Sequence, residues 1–343
     1  MPCLEPFEPD AARLQVIEAD PAIEEHGDVL YMPFAGYGID DDPSWGIYDR
    51  DNRLIQAGAY CRGPDRVPVG QCERLGADVG RVEAAPEGHY IYAGPLSLHY
   101  GHFLLSTLSR FWPFRGSPPA APLLWHGHYD PVVLPNFPFV GQLLATLGIA
   151  APALHRFTRP TRIKRLTVIA PAFEAEHRGH RAFRHLCRAI GGRLAGDADG
   201  PPQAPAYLAR SRLTWGVKAI ANEAPLCQAL AALGVEVIHP EQLGLPDQVR
   251  LFGSDRVIMG LSGSAFHTAI FARPRPRLLA IEIGNGANQL LVNRLSGNPM
   301  VSLRPVDPLP FGAGRDGIGR VYTLPDPIGV ARDLLRHPQG WQR

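Results

Sequence analysis

Charge of a single sign is what this sequence has least of. Thirty-four Lys and Arg stand against 33 Asp and Glu in 343 residues, a formal net charge of +1. No overall field therefore draws the chain to a polyanion, non-specific nucleic-acid binding is disfavoured, and anion recognition has to come from local clusters. Cysteine is also scarce: Cys3, Cys61, Cys72, Cys187 and Cys227 are odd in number, scattered and without a CxxC pair. That excludes a disulfide framework and a zinc knuckle and fits a reducing compartment. The opening MPCLEPFEPDAARL carries acids and prolines where an export signal needs a positive start and an unbroken apolar run, so none is expected. Long apolar runs are missing as well. The one uncharged stretch long enough to span a bilayer, residues 131–154, is interrupted by Pro131, Pro135, Asn136, Pro138 and Gln142 and predicts a buried helix over 139–147 instead.

What is present is a 45% hydrophobic, 20% charged chain with 36 Gly and 35 Pro, enough for a substantial core and many loops. At roughly 150 residues per domain, the length suggests two. Strand-like runs at 29–34, 46–48 and 54–56, separated by GYGIDDDPS and DRDN, make the first third β-rich. From His89 onward strands and helices alternate, with helices expected over 100–112, 139–147 and 178–193. GRLAGDADGPPQAPA, residues 192–206, lacks periodicity and reads as a linker. It separates an N-terminal domain, 1–195, from a C-terminal domain, 205–343. In the latter, short apolar strands (AYLARS, VEVIHP, RVIMG, RLLAIEIG) alternate with helices over 223–233, 246–252 and 265–271. That alternation implies a parallel, doubly wound sheet, with ligands at the carboxyl ends of its strands.

Several residues gather at those ends. After RVIMG, the small residues Gly260, Ser262, Gly263, Ser264 and Ala265 form a strand-to-helix turn whose amides and positive helix end suit a phosphate. The turn lacks GxGxxG and GxxxxGK[ST], and an ordinary turn capped by Ser262 or Ser264 explains it equally. Arg210, Arg212 and Lys218 follow AYLARS, and guanidinium groups suit bidentate phosphate recognition; a solvated basic loop is the alternative. Asn222 reads as a helix N-cap, with Glu223 favourable in the first turn. Glu282, closing an apolar strand before Gly284 and Gly286, suits paired bonds to ribose hydroxyls or a simple strand-end ion pair.

In the N-terminal half, a helix from Tyr100 places His102, Ser106, Ser109 and Arg110 on one polar face and turns the apolar residues inward. A histidine in that first turn is a candidate general base or anion contact, or simply a capping residue. His126, His128 and Asp130 have a metal-like spacing but no downstream partner, so no metal is expected. Arg178, Arg181, Arg184 and Arg188 line a helix whose solvated face would also suit peripheral contact with anionic head groups.

In their order, YGHFLLSTLSRFWPF, YLARSR, KAIANEAPL, LGVEVIHPEQLGLPDQVRLFGSDRVIMGLSGSAFHTAIF and LLAIEIG resemble the bacterial members of glycosyltransferase family 61, the DUF563 group. The resemblance runs over residues 94–283 and implies an α/β, GT-B-like fold of two Rossmann-like domains facing a cleft. It further implies inverting, metal-independent transfer without a cofactor from a nucleotide sugar, expected to be UDP-linked, to a glycan or glycolipid acceptor in polysaccharide biosynthesis. The expected location is cytoplasmic, at the inner face of the membrane. Arg210 matches the arginine of the family's sR element, Asn222 and Glu223 its NE, and His102 the histidine of its HFxxD. Three departures stand out: Lys218 replaces a usual arginine, Ser106 replaces the usual acid, and Ser262 to Ala265 lack the histidine that often opens that turn, with His267 one turn on. The site expected is His102 as base, with Arg210, Arg212, Lys218, Ser262, Gly263, Ser264, Ala265, His267 and Glu282 around the donor. The departures motivate an alternative, a non-catalytic nucleotide- or glycan-binding module of the same fold; a sugar-interconverting enzyme such as an epimerase is a third reading.

Overall fold

The chain opens with β1 (Leu4–Phe7), which pairs antiparallel with Met300–Pro305 near the other end of the sequence. The computed structural model describes residues 2–34, 42–76, 78–196, 202–274, 276–314 and 318–337. Its contacts divide the chain into two units, Arg13–Arg193 and a second formed by Met1–Ala12 with Leu194–Arg343. The first twelve residues, grouped by the sequence reading with the N-terminal half, thus belong to the C-terminal unit. The reason is physical: Leu4 is buried in the C-terminal core, and the Asp333 carboxylate accepts the Cys3 and Leu4 amides at 2.5 and 3.0 Å.

In the N-terminal unit, β2 (Ile23–Met32), β3 (Gly46–Tyr48), β4 (Tyr90–Pro95), β5 (Leu123–His126), β6 (Leu154–His155) and β7 (Thr161–Ile169) form one sheet in the order β6-β5-β4-β7-β2-β3. The pairs β6–β5, β5–β4 and β4–β7 are parallel, whereas β2 runs antiparallel to β7 and to β3. This sheet is therefore mixed, with the β-rich opening supplying its antiparallel edge. Residues 54–56 form no strand: Leu54 makes one isolated bridge to Tyr48, and a 3₁₀ turn follows at Gln56–Gly58. Most of the GYGIDDDPS turn lies outside the described residues. The apolar stretch becomes α1 (Pro138–Thr146), and no helix among the described residues is long and apolar enough to cross a membrane.

The segment after β4 is helical from Tyr100 to Arg110, but in three geometries: an α turn Tyr100–His102, a π stretch Phe103–Thr107 and a 3₁₀ turn Leu108–Arg110. Widening the helix by one residue per turn shifts its phase. The polar face expected from α periodicity is consequently broken, and Ser109 and Arg110 turn inward at 0% and 2% exposure. The Arg110 guanidinium donates to the carbonyls of Ala57, Ile169 and Ala59 at 2.7, 2.5 and 2.8 Å. Gly94, at φ +77°, makes room for it, since a Cβ there would meet Arg110 Nε at 2.5 Å.

The arginine row is broken too. Helix α2 (Arg181–Ala195) starts after Arg178, which sits in the short strand Arg178–His180. Arg178 and Arg66 both bond the buried Glu174 carboxylate, at distances down to 2.5 and 2.7 Å. Burial alone would raise the Glu174 pKa, but these bonds outweigh it and hold it below its ordinary value. Arg181 pairs with Glu18, and Arg184 and Arg188 are half-buried, so no continuous solvated cationic face remains. The helix runs to Ala195, into the segment read as a linker, of which residues 197–201 lie outside those described.

His126 illustrates how a metal-like spacing becomes core. Its ring is fully buried and stacked on Tyr31 at 4.1 Å; Nδ1 accepts from Tyr92 Oη at 2.8 Å and Nε2–H donates to the Met32 carbonyl at 2.8 Å. His128 stacks on Phe34, and Asp130 caps the following turn by accepting from Val132. No group of three His, Cys, Asp or Glu among the described residues is arranged to hold a metal. Burial lowers the His126 pKa from 6.5 to about 3. Because the unfolded chain takes up that proton first, stability is full above about pH 6.5 and falls as the pH drops toward 3. Between pH 7 and 5 the expected loss is about 2 kcal/mol. Urea denaturation of wild type and His126→Asn at both pH values checks it; an equal pH slope in the two would reject the assignment.

The C-terminal unit alternates β8 (Ala206–Leu208), α3 (Glu223–Ala232), β9 (Glu236–Ile238), α4 (Leu245–Gly253), β10 (Val257–Leu261), β11 (Arg277–Ile281), α5 (Ala287–Ser296), β12 (Met300–Pro305) and α6 (Pro327–Arg336). Its sheet runs β1-β12-β11-β10-β8-β9, parallel except for β1. Tyr207, Met259, Leu279, Ile281 and Leu303 pack with Leu226 and Leu230 of α3 and Val330 and Leu334 of α6. Each such aliphatic side chain contributes roughly 1.5–3 kcal/mol by burial. From β8 the chain goes to one side for β9 and to the other for β10, β11 and β12. This reversal is the topological switch at which doubly wound sheets bind ligands. A second, three-stranded sheet joins Gly216–Ile220, Ile318–Tyr322 and Phe311–Ala313.

Candidate functional site

Strand register brings three of the expected residues to one level. Leu208 is opposite Gly260, and Gly260 is opposite Ala280. Two residues further along each strand come Arg210, Ser262 and Glu282, all at the carboxyl edge and two of them flanking the β8–β10 switch. Their spacing in the sequence hides this, because only the pairing of β8, β10 and β11 aligns them.

The Arg210 side chain crosses the switch. Its Nη1 donates to the Lys218 carbonyl at 3.3 Å and its Nη2 to the carbonyls of Leu261 and Ser262 at 3.0 and 3.2 Å. These bonds use three of five guanidinium N–H groups, leaving Nε–H and one Nη1–H for a further acceptor. Burial lowers the Arg210 pKa, with Glu223, Tyr207 and Glu282 opposing that shift. The solvated-loop alternative for this cation is thereby excluded. Gly263 lies against the guanidinium: a Cβ there would stand 2.3 Å from Arg210 Nη2, so the small-residue turn is required by the arginine's approach.

The turn differs from the expected capped one. The N-cap of the short helix Ser264–His267 is Gly263, and no side chain caps it. Ser262 is buried, and its amide is taken by the Ile281 carbonyl at 2.8 Å. Ser264 and Ala265 keep the first-turn amides that lack an intrahelical acceptor. His267 is buried: its Nδ1–H donates to Gln289 Oε1 at 2.7 Å, and Gln289 in turn donates to Asn293 Oδ1. That histidine is built into the packing of α5.

Glu282 is 5% exposed. One oxygen accepts the Gly284 amide at 2.7 Å, and Oε2 is buried without a hydrogen-bond partner. The alternative of a satisfied strand-end ion pair does not describe it. A Cβ on Gly284 would lie 3.2 Å from both Glu282 Oε1 and Lys218 Nζ, and one on Gly286 3.1 Å from Glu282 Oε2. The two glycines thus leave no side chain of their own against the buried carboxylate, and Lys218 Nζ, from strand Gly216–Ile220, lies against Gly284 as Glu282 Oε1 does. Arg212 goes elsewhere: it donates to Gln242 Oε1 at 2.9 Å and lines a groove along β9 with His239 and Arg250, a groove that Arg210, Lys218, Ser262 and Glu282 do not line. Two cations, not three, converge.

Asn222 stands at the N-cap of α3, but its side chain makes no cap bond. Its amide grips the Leu324 backbone, donating to the carbonyl at 2.7 Å and accepting the N–H at 2.9 Å. Glu223 is 1% exposed and holds Tyr207 Oη at 3.0 Å and the Arg210 amide at 2.8 Å. Neither role is legible in an NE pair. Tyr207 was legible only as an apolar strand position, although a buried tyrosine hydroxyl signals a polar partner nearby.

In the N-terminal unit, His102 lies just past the carboxyl end of parallel strand β4, half-buried, with its ring 4.8 Å from that of His99. Ser106 follows it in the π stretch, half-buried, and its carbonyl accepts from Ser109 Oγ.

Compared with known families, residues 100–279 match the model of Glycosyltransferase 61, just over half of the chain. The chain belongs to glycosyltransferase family 61. No curated protein gives a significant match. As a family 61 member the chain has a sugar donor and an acceptor as its substrate classes. The match to family 61 contains His102, Arg210, Lys218 and the turn at 262–265, while Glu282 falls just beyond it.

Proposed function

We propose that the chain is an inverting, metal-independent glycosyltransferase using a nucleotide sugar, UDP-linked, and a glycan or glycolipid acceptor in polysaccharide biosynthesis at the cytoplasmic face of a membrane. The observation that carries this reading is the pairing, at one sheet edge, of a guanidinium with spare donors and a buried carboxylate oxygen without a partner. The two match the ends of a nucleoside diphosphate. Arg210 and the Ser264 and Ala265 amides take the diphosphate, Lys218 adds charge, and Glu282 Oε2 accepts a ribose hydroxyl.

Donor amides and fixed cations stabilise the charge that develops on the departing diphosphate, a role a metal plays in other transferases. An acceptor hydroxyl forms the new bond to the anomeric carbon as the bond to the diphosphate oxygen breaks, and attack on the opposite face inverts that centre. His102 is the candidate for the base that receives the hydroxyl proton. Ser106, in place of the family's acid, favours a second reading in which nucleotide binds without transfer.

Incubation with UDP-sugars and mixed glycan acceptors separates the two. Transfer predicts UDP release that depends on acceptor and persists in EDTA, with release lost in His102→Ala. Tight UDP binding with no acceptor-dependent release selects the binding module.

A further inference from the structure

We infer that Glu223 is a positioning residue: it fixes the backbone from which Arg210 reaches the donor diphosphate. The inference rests on the donor-site reading above and assigns a task to a residue outside that site. Glu223 presents two acceptor oxygens to two donors, Tyr207 Oη at 3.0 Å and the Arg210 backbone N–H at 2.8 Å. The first donor is immovable, because Tyr207 lies in the middle of β8 at 0% exposure. The second sits two residues past the end of that strand and one past the last inter-strand bond, from the Ala209 amide to the Ile238 carbonyl at 2.8 Å, so its own amide has no strand acceptor. The carboxylate therefore transfers the rigidity of the sheet to the base of the arginine. From there the side chain must reach Leu261 and Ser262 on β10 and its edge, at 3.0 and 3.2 Å. A shift of that backbone moves the origin of the side chain relative to both carbonyls.

Placing a carboxylate at 1% exposure is costly, and burial raises its pKa. An apolar residue on α3 would have filled the same volume without that cost. Two features make the carboxylate specific. Both oxygens are used, and the acceptor of the Arg210 amide is a side chain rooted in the first turn of a helix, not a neighbouring strand. A purely structural carboxylate would serve folding equally well whatever Arg210 does.

The test is a mutant cycle read by calorimetric titration of the full-length protein with UDP. Glu223→Asp, one methylene shorter, cannot span both donors and is expected to weaken UDP binding about tenfold, the scale of one mis-set charged hydrogen bond. Glu223→Gln keeps an oxygen for the Arg210 amide, while its NH₂ donates to the Tyr207 oxygen, so affinity should stay within about threefold of wild type. In an Arg210→Ala background, Glu223→Asp should have no further effect on UDP affinity. Circular dichroism confirms folding of each variant, and Glu223→Gln against Glu223→Asp keeps the comparison open should the Arg210→Ala variants not fold. The inference is overturned if Asp and Gln both bind UDP like wild type, or if Asp costs as much without Arg210 as with it. Should Arg210→Ala itself leave UDP affinity unchanged, the donor-site reading fails first, and the cycle shows that separately.

Discussion

Arg210→Ala is expected to weaken UDP binding by about 100-fold, near 2.7 kcal/mol, while lowering unfolding free energy by only about 1–2 kcal/mol. The asymmetry follows from where the guanidinium ends. Its three carbonyl partners lie at the sheet edge, where water replaces much of what the side chain gave. A diphosphate, by contrast, loses a fixed cation and its charge-assisted donors, which water does not restore in the same geometry. Arg210→Lys keeps the charge without the fixed donor directions and should recover only part of the loss. Gly263→Ala offers an independent check, since its Cβ would sit 2.3 Å from Nη2 and force the guanidinium away. It should reduce UDP affinity in the same direction with Arg210 intact. Calorimetry with UDP, alongside urea denaturation, measures both quantities; equal affinity in wild type and Arg210→Ala would remove Arg210 from the donor site.

Arg110→Met is expected to destabilise the N-terminal unit by several kcal/mol, enough to unfold it at moderate temperature. Three carbonyls, those of Ala57, Ala59 and Ile169, converge on this one side chain. Each orphaned buried acceptor costs about 1–3 kcal/mol, against a total stability of about 5–15 kcal/mol for a domain. Methionine fills similar volume but donates nothing. Lysine should rescue only partly, because one ammonium on a flexible stem cannot cover the fork's separate directions. Burial lowers the Arg110 pKa while Tyr92 opposes that shift, so the group persists because its partners are numerous. The measurement is the urea midpoint of each variant; a Met variant within about 0.5 kcal/mol of wild type would show that the carbonyls have other donors.

Much of the C-terminal unit was legible because its strands are short, apolar and separated by periodic helices, and a parallel sheet buried on both faces demands that pattern. The carboxyl-edge location of Arg210, Ser262 and Glu282 followed from the same reading. Their shared level did not, since register depends on pairing between segments far apart. The partners of His267 and Asn222 are not legible locally: Gln289 and Leu324, far along the chain, take their side chains, although Asn222 does hold the N-cap position the motif implies. Arg110 was placed on a polar face because α periodicity was assumed, and the π stretch at Phe103–Thr107 changed the phase. Residues 1–12 join the C-terminal unit rather than the expected 1–195 domain because a strand of four residues carries no sign of the sheet it joins. Arg212 was counted with its neighbours by proximity in sequence, although the chain turns between Arg210 and Arg212 and sends the second toward Gln242.

The central claim is that a nucleoside diphosphate binds the C-terminal unit at the reversal of strand order between β8 and β10. A crystal structure of the protein with UDP tests it most directly. Phosphate oxygens within hydrogen-bonding distance of Arg210 and the Ser264 or Ala265 amide, with a ribose hydroxyl on Glu282 Oε2, are the predicted result. UDP bound at the groove lined by Arg212 and His239, or anywhere else with that edge empty, would contradict the account.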